Sequence, residues 1–238
     1  TDTTKTGYTS AQPLTTTSNT QWRIFSIDEA TGEVLITTQG ATNIDTNVYL
    51  QGTTGYLHGA EELNRICKEL YSSGTLTARS MTVEDLNKAV GYDPRTDSYY
   101  GAEFEYTSGT FYTYQENGNT VTSETPKVAS SSNKVKVKWT YYDYSPSSKN
   151  ATVGNILGSD RGWLASPCVR AFPGIANFHV RGADSSYVCG AGHLCGSYAG
   201  PTSLANGLRP LVSLSSKLID IAEEGKDGTT VDKAWNLK

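Results

Sequence analysis

Apolar and polar residues alternate over Trp22-Arg23-Ile24-Phe25-Ser26-Ile27, and Glu33 to Thr38 is a second β-rich run, which predicts two short strands. The turn residues between them, Asp28 to Gly32 with Ala30-Thr31-Gly32 at the end, predict a hairpin. From Gly59 to Tyr71 the period changes. Leu63, Ile66, Cys67 and Leu70 fall at i, i+3, i+4 and i+7, one apolar face of an amphipathic helix with Cys67 as a core residue. A second, short helix is predicted from Thr82 to Val90. Thr82 and Asp85 have the spacing of a capping box, with Asp where Glu is usual.

The character shifts between Tyr92 and Asn150. Phe111 to Tyr114, then Glu116-Asn117-Gly118-Asn119, then Thr120-Val121-Thr122 read as a hairpin with an Asn-Gly turn. Lys134 to Thr140 alternates and predicts a strand with one lysine face in water, a face that discourages edge pairing rather than a basic binding patch. Leu208 to Leu214 is an apolar strand, and Ser215 to Lys238 is a charged tail with Trp235 as a docking anchor. The order of these elements predicts an α+β fold with two N-terminal helices, a mixed antiparallel sheet and an inserted β-hairpin region. Residues 1–20 read as a flexible Thr-rich tether, 21–238 as one domain, and about 92–150 as the insert.

Composition narrows the class. The chain has 238 residues, a net charge of −4, and 31 Thr with 24 Ser. A near-neutral balance without a basic stripe excludes a general nucleic-acid binder. With 15 Tyr, 4 Trp and 5 Phe there is ample aromatic surface to bury, which argues against disorder. Thr, Ser, Gly and Tyr in excess fit an exposed, β-rich surface protein. No stretch approaches the roughly 18 apolar residues of a membrane span, and no signal peptide is present. A chain trimmed of an export or anchor segment starts in this way.

The four cysteines, Cys67, Cys168, Cys189 and Cys195, are too scattered for a disulfide-built scaffold. Cys189 and Cys195 lie close enough in sequence to pair, or remain free thiols; the spacing leaves both open. With His193 they do not make zinc spacing, and no metal or other cofactor is expected. Among His58, His179 and His193 no nucleophile elbow sits nearby. Gly190-Ala191-Gly192 lacks the helix and Lys-Ser/Thr of a phosphate loop. Glu61-Glu62 and Glu223-Glu224 are adjacent acids of solvated segments, and no calcium loop is present. No catalytic cluster emerges, so the chain is not expected to be an enzyme.

One tract is compositionally odd. Ala171 to Gly207 holds no Lys, Glu, Gln, Met or Trp, although the other 201 positions hold 34 of them. At that frequency about six are expected in the tract. A Gly-rich loop region depletes long side chains in favour of turn residues. Alternatively, these five types share a genetic property: none has a codon ending in a pyrimidine. Asn codons randomised at their adenines never yield them, yet readily yield Gly, Ala, Ser, His, Tyr, Asp, Phe, Pro, Ile and Cys.

Trp163-Leu164-Ala165-Ser166, Phe178-His179-Val180-Arg181 and Gly207-Leu208-Arg209-Pro210-Leu211-Val212-Ser213-Leu214 together resemble the C-terminal signature of gut Firmicutes surface proteins, which often carry a pilin-like N-terminus. Gln51-Gly52, Gly55-Tyr56, Ala78-Arg79-Ser80 and the first helix are similar to the N-terminal half of those proteins. The likeness covers most of the chain from Trp22 onward. Its C-terminal part resembles the variable proteins of diversity-generating retroelements, which use a C-type-lectin fold of the formylglycine-generating-enzyme type.

The resemblance implies a binding protein of the cell surface or extracellular space, pilus-associated or, alternatively, on a phage virion. Its partner is an unknown protein or surface ligand, not nucleic acid, and a membrane enters only through a missing N-terminal anchor. Trp163, Leu164, Val180, Val188, Leu208 and Val212 are the expected scaffold, with Arg181 and Arg209 making buried hydrogen bonds. The variable region is about 171–207. Its candidate variable, ligand-binding positions are Phe172, Gly174, Ile175, Asn177, His179, Gly182 and Asp184. Ser186, Tyr187, Cys189, Ala191, His193, Tyr198 and Ala199 complete them. His179, Tyr187, His193 and Tyr198 are the expected contacts, since aromatics give area at low entropy cost. The alternatives are a structural pilus or capsid subunit, or a copper enzyme of the formylglycine-generating type. The enzyme needs a cysteine pair, for which Cys189 and Cys195 are the candidates.

Overall fold

In the computed structural model, the described residues are 1–15, 21–40, 47–93, 103–111, 114–117, 120–123, 127–138, 155–157, 161–172, 175–183, 188–190, 194–196, 203–220 and 236–237. The N-terminal part runs α1 (Thr3–Thr6), β1 (Trp22–Asp28), β2 (Glu33–Thr38), β3 (Val48–Gln51), α2 (Gly52–Tyr71), β4 (Thr77–Ser80) and α3 (Val83–Ala89). β1 and β2 form the predicted hairpin, paired antiparallel from Trp22↔Thr38 to Asp28↔Glu33. Its turn is held by the Asp28 carboxylate, which accepts the Ala30 and Thr31 amides, and by Gly32 at φ 68°. Asp at the turn start and Gly at the left-handed position are the residues such a turn requires.

Helix α2 begins seven residues earlier than its periodicity predicts. Gly52, Gly55 and Gly59 are weak helix formers and hide the first two turns. Packing explains them. A Cβ on Gly55 would sit 2.9 Å from the Thr6 carbonyl oxygen, and one on Gly59 would sit 2.8 Å from Leu50 Cδ1. Further along, Leu63, Ile66 and Cys67 are buried as the spacing demands. Burial pushes the Cys67 thiol up to about 12, against a weaker opposing hydrogen bond with Ser80. Helix α3 carries the complete capping box of Thr82 and Asp85. Burial disfavours the Asp85 carboxylate, but Arg79 and Thr82 donors outweigh it and hold its pKa below the usual value.

Residues 1–15 correct the expected tether, for they are folded onto α2 and β3. Thr6 is buried, and the Asp2 amide donates to Glu62 Oε1 at 2.7 Å. Lys5 pairs with Glu61 at 3.0 Å. The Gln12 side chain donates to the Asn47 carbonyl and accepts the Tyr49 amide. Tyr8 stacks on Tyr49 with ring centroids 4.6 Å apart, and Leu14 packs against the core. A Thr-rich composition signals solubility, but a few well-spaced groups are enough to dock the segment.

The insert contributes β5 (Glu103–Tyr106), β6 (Gly109–Phe111), β7 (Tyr114–Asn117), β8 (Thr120–Ser123), β9 (Lys127–Ala129) and β10 (Val135–Lys138). They pair in nested fashion, β5 with β10, β6 with β9 and β7 with β8, and Ala129, Val135 and Tyr106 form a small cluster of their own. The innermost register closes on Asn117↔Thr120, and Gly118 and Asn119 of the predicted turn lie outside the described residues. The predicted lysine strand is β10. Lys134, just before it, meets Glu105 at 2.8 Å, and Lys136 within it meets Glu103 at 3.3 Å.

The C-terminal part adds β11 (Gly162–Phe172), β12 (Ile175–Ala183), β13 (Val188–Gly190), β14 (Cys195–Gly196), β15 (Ser203–Asn206) and β16 (Pro210–Ser215). β16, the predicted apolar strand, lies between β2 and β4 in a sheet of order β1-β2-β16-β4, so both ends of the chain build one sheet. β12 is central in a second sheet, with β11 on one edge and β13 and β14 on the other. β15 pairs with β3. Among the described residues the strand ladders are antiparallel and the helices few: the chain is α+β. One core cluster joins Leu50, Leu63 and Ile66 to Trp163, Phe178, Val180 and Leu208. The other joins Met81, Val83 and Leu86 to Leu164 and Leu211. Trp235 lies outside the described residues.

Candidate binding surface

The Trp163-Leu164-Ala165-Ser166 run is fastened residue by residue. Trp163 donates its ring Nε1 to the Val48 carbonyl at 2.8 Å and its amide to the Gly207 carbonyl at 2.9 Å. Leu164 is buried in the second cluster. The Ala165 amide donates to the Met81 carbonyl at 2.8 Å, and Ser166 Oγ accepts the Val83 amide at 2.9 Å. The second half of the signature closes the same knot. Arg209 is fully buried, donates through its guanidinium to the Leu157 carbonyl, and accepts the Met81 amide on its own carbonyl. Its side chain lies over Gly162, where a Cβ would stand 2.5 Å from Arg209 Cγ. Sequence reasoning missed Met81, Leu157 and Gly162 as parts of this knot. The single methionine of the chain was the available signal.

Of the expected scaffold, Trp163, Leu164, Val180, Leu208 and Val212 are buried, and Val188 is described only as backbone in β13. Arg181 is 1% exposed, as a scaffold arginine should be.

The candidate variable positions divide. His179 is 5% exposed and Gly182 is buried, inside the run Phe178 to Ala183 that is buried throughout. That placement corrects His179 as a contact residue: β12 is flanked on both edges, and its two faces are covered here. Phe172 pairs with Ile175, Asn177 with Arg170 and with Gly196, and Cys189 with Gly182; only the backbones of these four candidates are described. Gly174, Asp184, Ser186, Tyr187, Ala191, His193, Tyr198 and Ala199 lie outside the described residues.

Backbone register also bears on the cysteines. Cys189 stands opposite Gly182 and Cys195 opposite Phe178, four residues apart along the same edge of β12. At about 3.3 Å per residue that is roughly 13 Å. Only the backbones of Cys189 and Cys195 are described. Cys168, directly opposite His179, and Cys67 are both buried and neither is in a disulfide. Among the described residues no cluster of His, Cys, Asp and Glu is arranged to hold a metal ion, and no helix is long and apolar enough to cross a membrane.

Comparison of the chain with protein-family models, with curated proteins and with solved structures finds no match.

Proposed function

We propose that the chain is a surface-displayed ligand-binding protein with a C-type-lectin-like fold of the formylglycine-generating-enzyme type, belonging with the variable proteins of diversity-generating retroelements. Its C-terminal tract recognises a protein or other surface ligand and catalyses nothing. The observation that carries this reading is a coincidence of composition and packing. The tract from Ala171 to Gly207, which lacks Lys, Glu, Gln, Met and Trp, is strung on strand β12, whose middle is locked into the core. A rigid strand holding short, turn-rich segments at both ends is the arrangement in which loop side chains change without unfolding the domain. In this reading Phe178 to Ala183 is scaffold, and the contact residues come from the segments on either side. Tyr187, His193 and Tyr198 are the aromatic contacts. The cell surface, a pilus or a phage virion is the site of display.

The test is the gene and its neighbourhood. A nearby imperfect template repeat, with adenines where copies of the gene differ and a reverse transcriptase gene alongside, is the expected finding. Amino-acid differences should fall between Ala171 and Gly207 but spare Phe178, Val180 and Arg181. Copies that differ in the tract only silently would overturn the reading.

A further inference from the structure

The N-terminal arm occupies a groove built for it. We propose that this groove on α2 and β3 also accepts residues 1–14 of a second copy, so that copies of the chain associate by exchanging arms.

The groove has a defined chemistry. Its floor is the Gly55 and Gly59 face of α2, where the Thr6 carbonyl and Leu50 approach more closely than any Cβ would allow. Its rim holds Glu62, a carboxylate 1% exposed, gripped by Arg65 on two sides and accepting the Asp2 amide on Oε1. Glu61 pairs with Lys5, and the Asn47 carbonyl and Tyr49 amide read both ends of the Gln12 amide. The arm matches this chemistry at a special backbone position. Gly7 ends α1 in the left-handed region at φ 69°, and a Cβ there would run into the Gln51 carbonyl oxygen.

All of these contacts are made with α2, β3 and the residue before β3. None is made with β1, the strand into which the arm continues after residues 15–21. The fit therefore does not depend on which copy supplies the arm. Only the connecting residues distinguish the closed from the exchanged form, and concentration then sets the balance.

Complementation of two damaged full-length chains tests the proposal. Gly7→Val breaks the arm and leaves the groove open, and Gly55→Leu fills the groove and leaves the arm free. Each variant alone should be monomeric by light scattering, and an equimolar mixture should give a one-to-one dimer of twice the mass. A mixture that stays monomeric, while both variants unfold cooperatively, overturns the proposal. If Gly55→Leu does not fold, a labelled peptide of residues 1–15 is titrated into the Gly7→Val chain. Saturable binding, at least tenfold weaker for a peptide that itself carries Gly7→Val, is expected. No saturable binding, or equal binding of both peptides, overturns the proposal as surely.

Discussion

Strands β10 and β12 carry the same pattern on paper and meet opposite fates. Val135-Lys136-Val137-Lys138 alternates apolar with charged, and so does Phe178-His179-Val180-Arg181. In β10 the pattern means what it usually means: Val135 is buried and Lys136 is 62% exposed. In β12 the polar positions are as buried as the apolar ones. Alternation states which residues share a face, not whether that face meets water. Neighbours decide that. Among the described residues β10 pairs with β5 alone, whereas β12 is enclosed by β11 on one edge and by β13 and β14 on the other. A half-wet strand tolerates change at every second residue, and an enclosed one at none.

The deepest substitution should separate the two strands most. Phe178 is 1% exposed and meets the Tyr56 ring edge-on at 4.9 Å between centroids. Phe178→Ala is expected to cost about 3–5 kcal/mol by urea unfolding, the usual cost of removing a buried aromatic. A loss under about 1 kcal/mol would place β12 with β10 and break the contrast.

Next is Trp163→Phe, which keeps most of the apolar bulk but leaves the Val48 carbonyl without its indole donor. A buried acceptor left unsatisfied costs about 1–3 kcal/mol, to be read from the same unfolding curves. Because the indole also ties β11 to the start of β3, the amides of Val48 to Leu50 should lose hydrogen-exchange protection before those of β16.

What the sequence made legible was local. The β1–β2 hairpin, the α3 capping box and the burial of Cys67 follow from residues within a few positions of one another, and the structure contains all three. What it concealed depends on distant partners. The first turns of α2 are helical because Thr6 and Leu50 need the space over Gly55 and Gly59. The arm is docked because Glu62, Asn47 and Tyr49 are positioned to receive it. His179 is inside because both faces of β12 are covered, which the strand's own alternation does not report. For the candidate surface, the anomaly of composition outlines the tract only as a unit of sequence. Only packing divides that unit into a buried strand and the segments on either side.

Between the extremes lies the α3 cap, where the Asp85 side chain is 16% exposed. Thr82→Ala should cost about 1 kcal/mol, the usual value of a lost N-cap. Its pH dependence gives a second readout. The folded-state pKa of Asp85 is depressed, so its stabilisation is present above the unfolded carboxylate value and lost as pH falls through the folded one. Thr82→Ala removes the hydroxyl donor to that carboxylate and keeps the amide donor of residue 82, so the acid-induced fall in unfolding midpoint should be somewhat shallower than in the parent. An unchanged acid limb would mean that Arg79 and the residue-82 amide hold the charge without the hydroxyl.

The smallest effect belongs to the insert. Lys136 and Glu103 stand 3.3 Å apart with both side chains more than half exposed. In that setting water screens the attraction, and fixing two long side chains offsets what remains. Lys136→Ala should therefore leave the unfolding midpoint where it was, within error. Lys136→Glu asks more, because the register places residue 136 directly opposite Glu105. Like charges across a ladder repel, so a small drop is expected at low salt, vanishing when about 1 M salt shortens the screening length to about 3 Å. That salt dependence is the sharpest form of the contrast, since the penalty in β10 is one that solvent ions can cancel. The cost of Phe178→Ala in β12 arises from lost packing, which they cannot reach. A Lys136→Ala chain that loses as much as Thr82→Ala would show that the insert is held by its charges, and that the two strands differ less than their burial says.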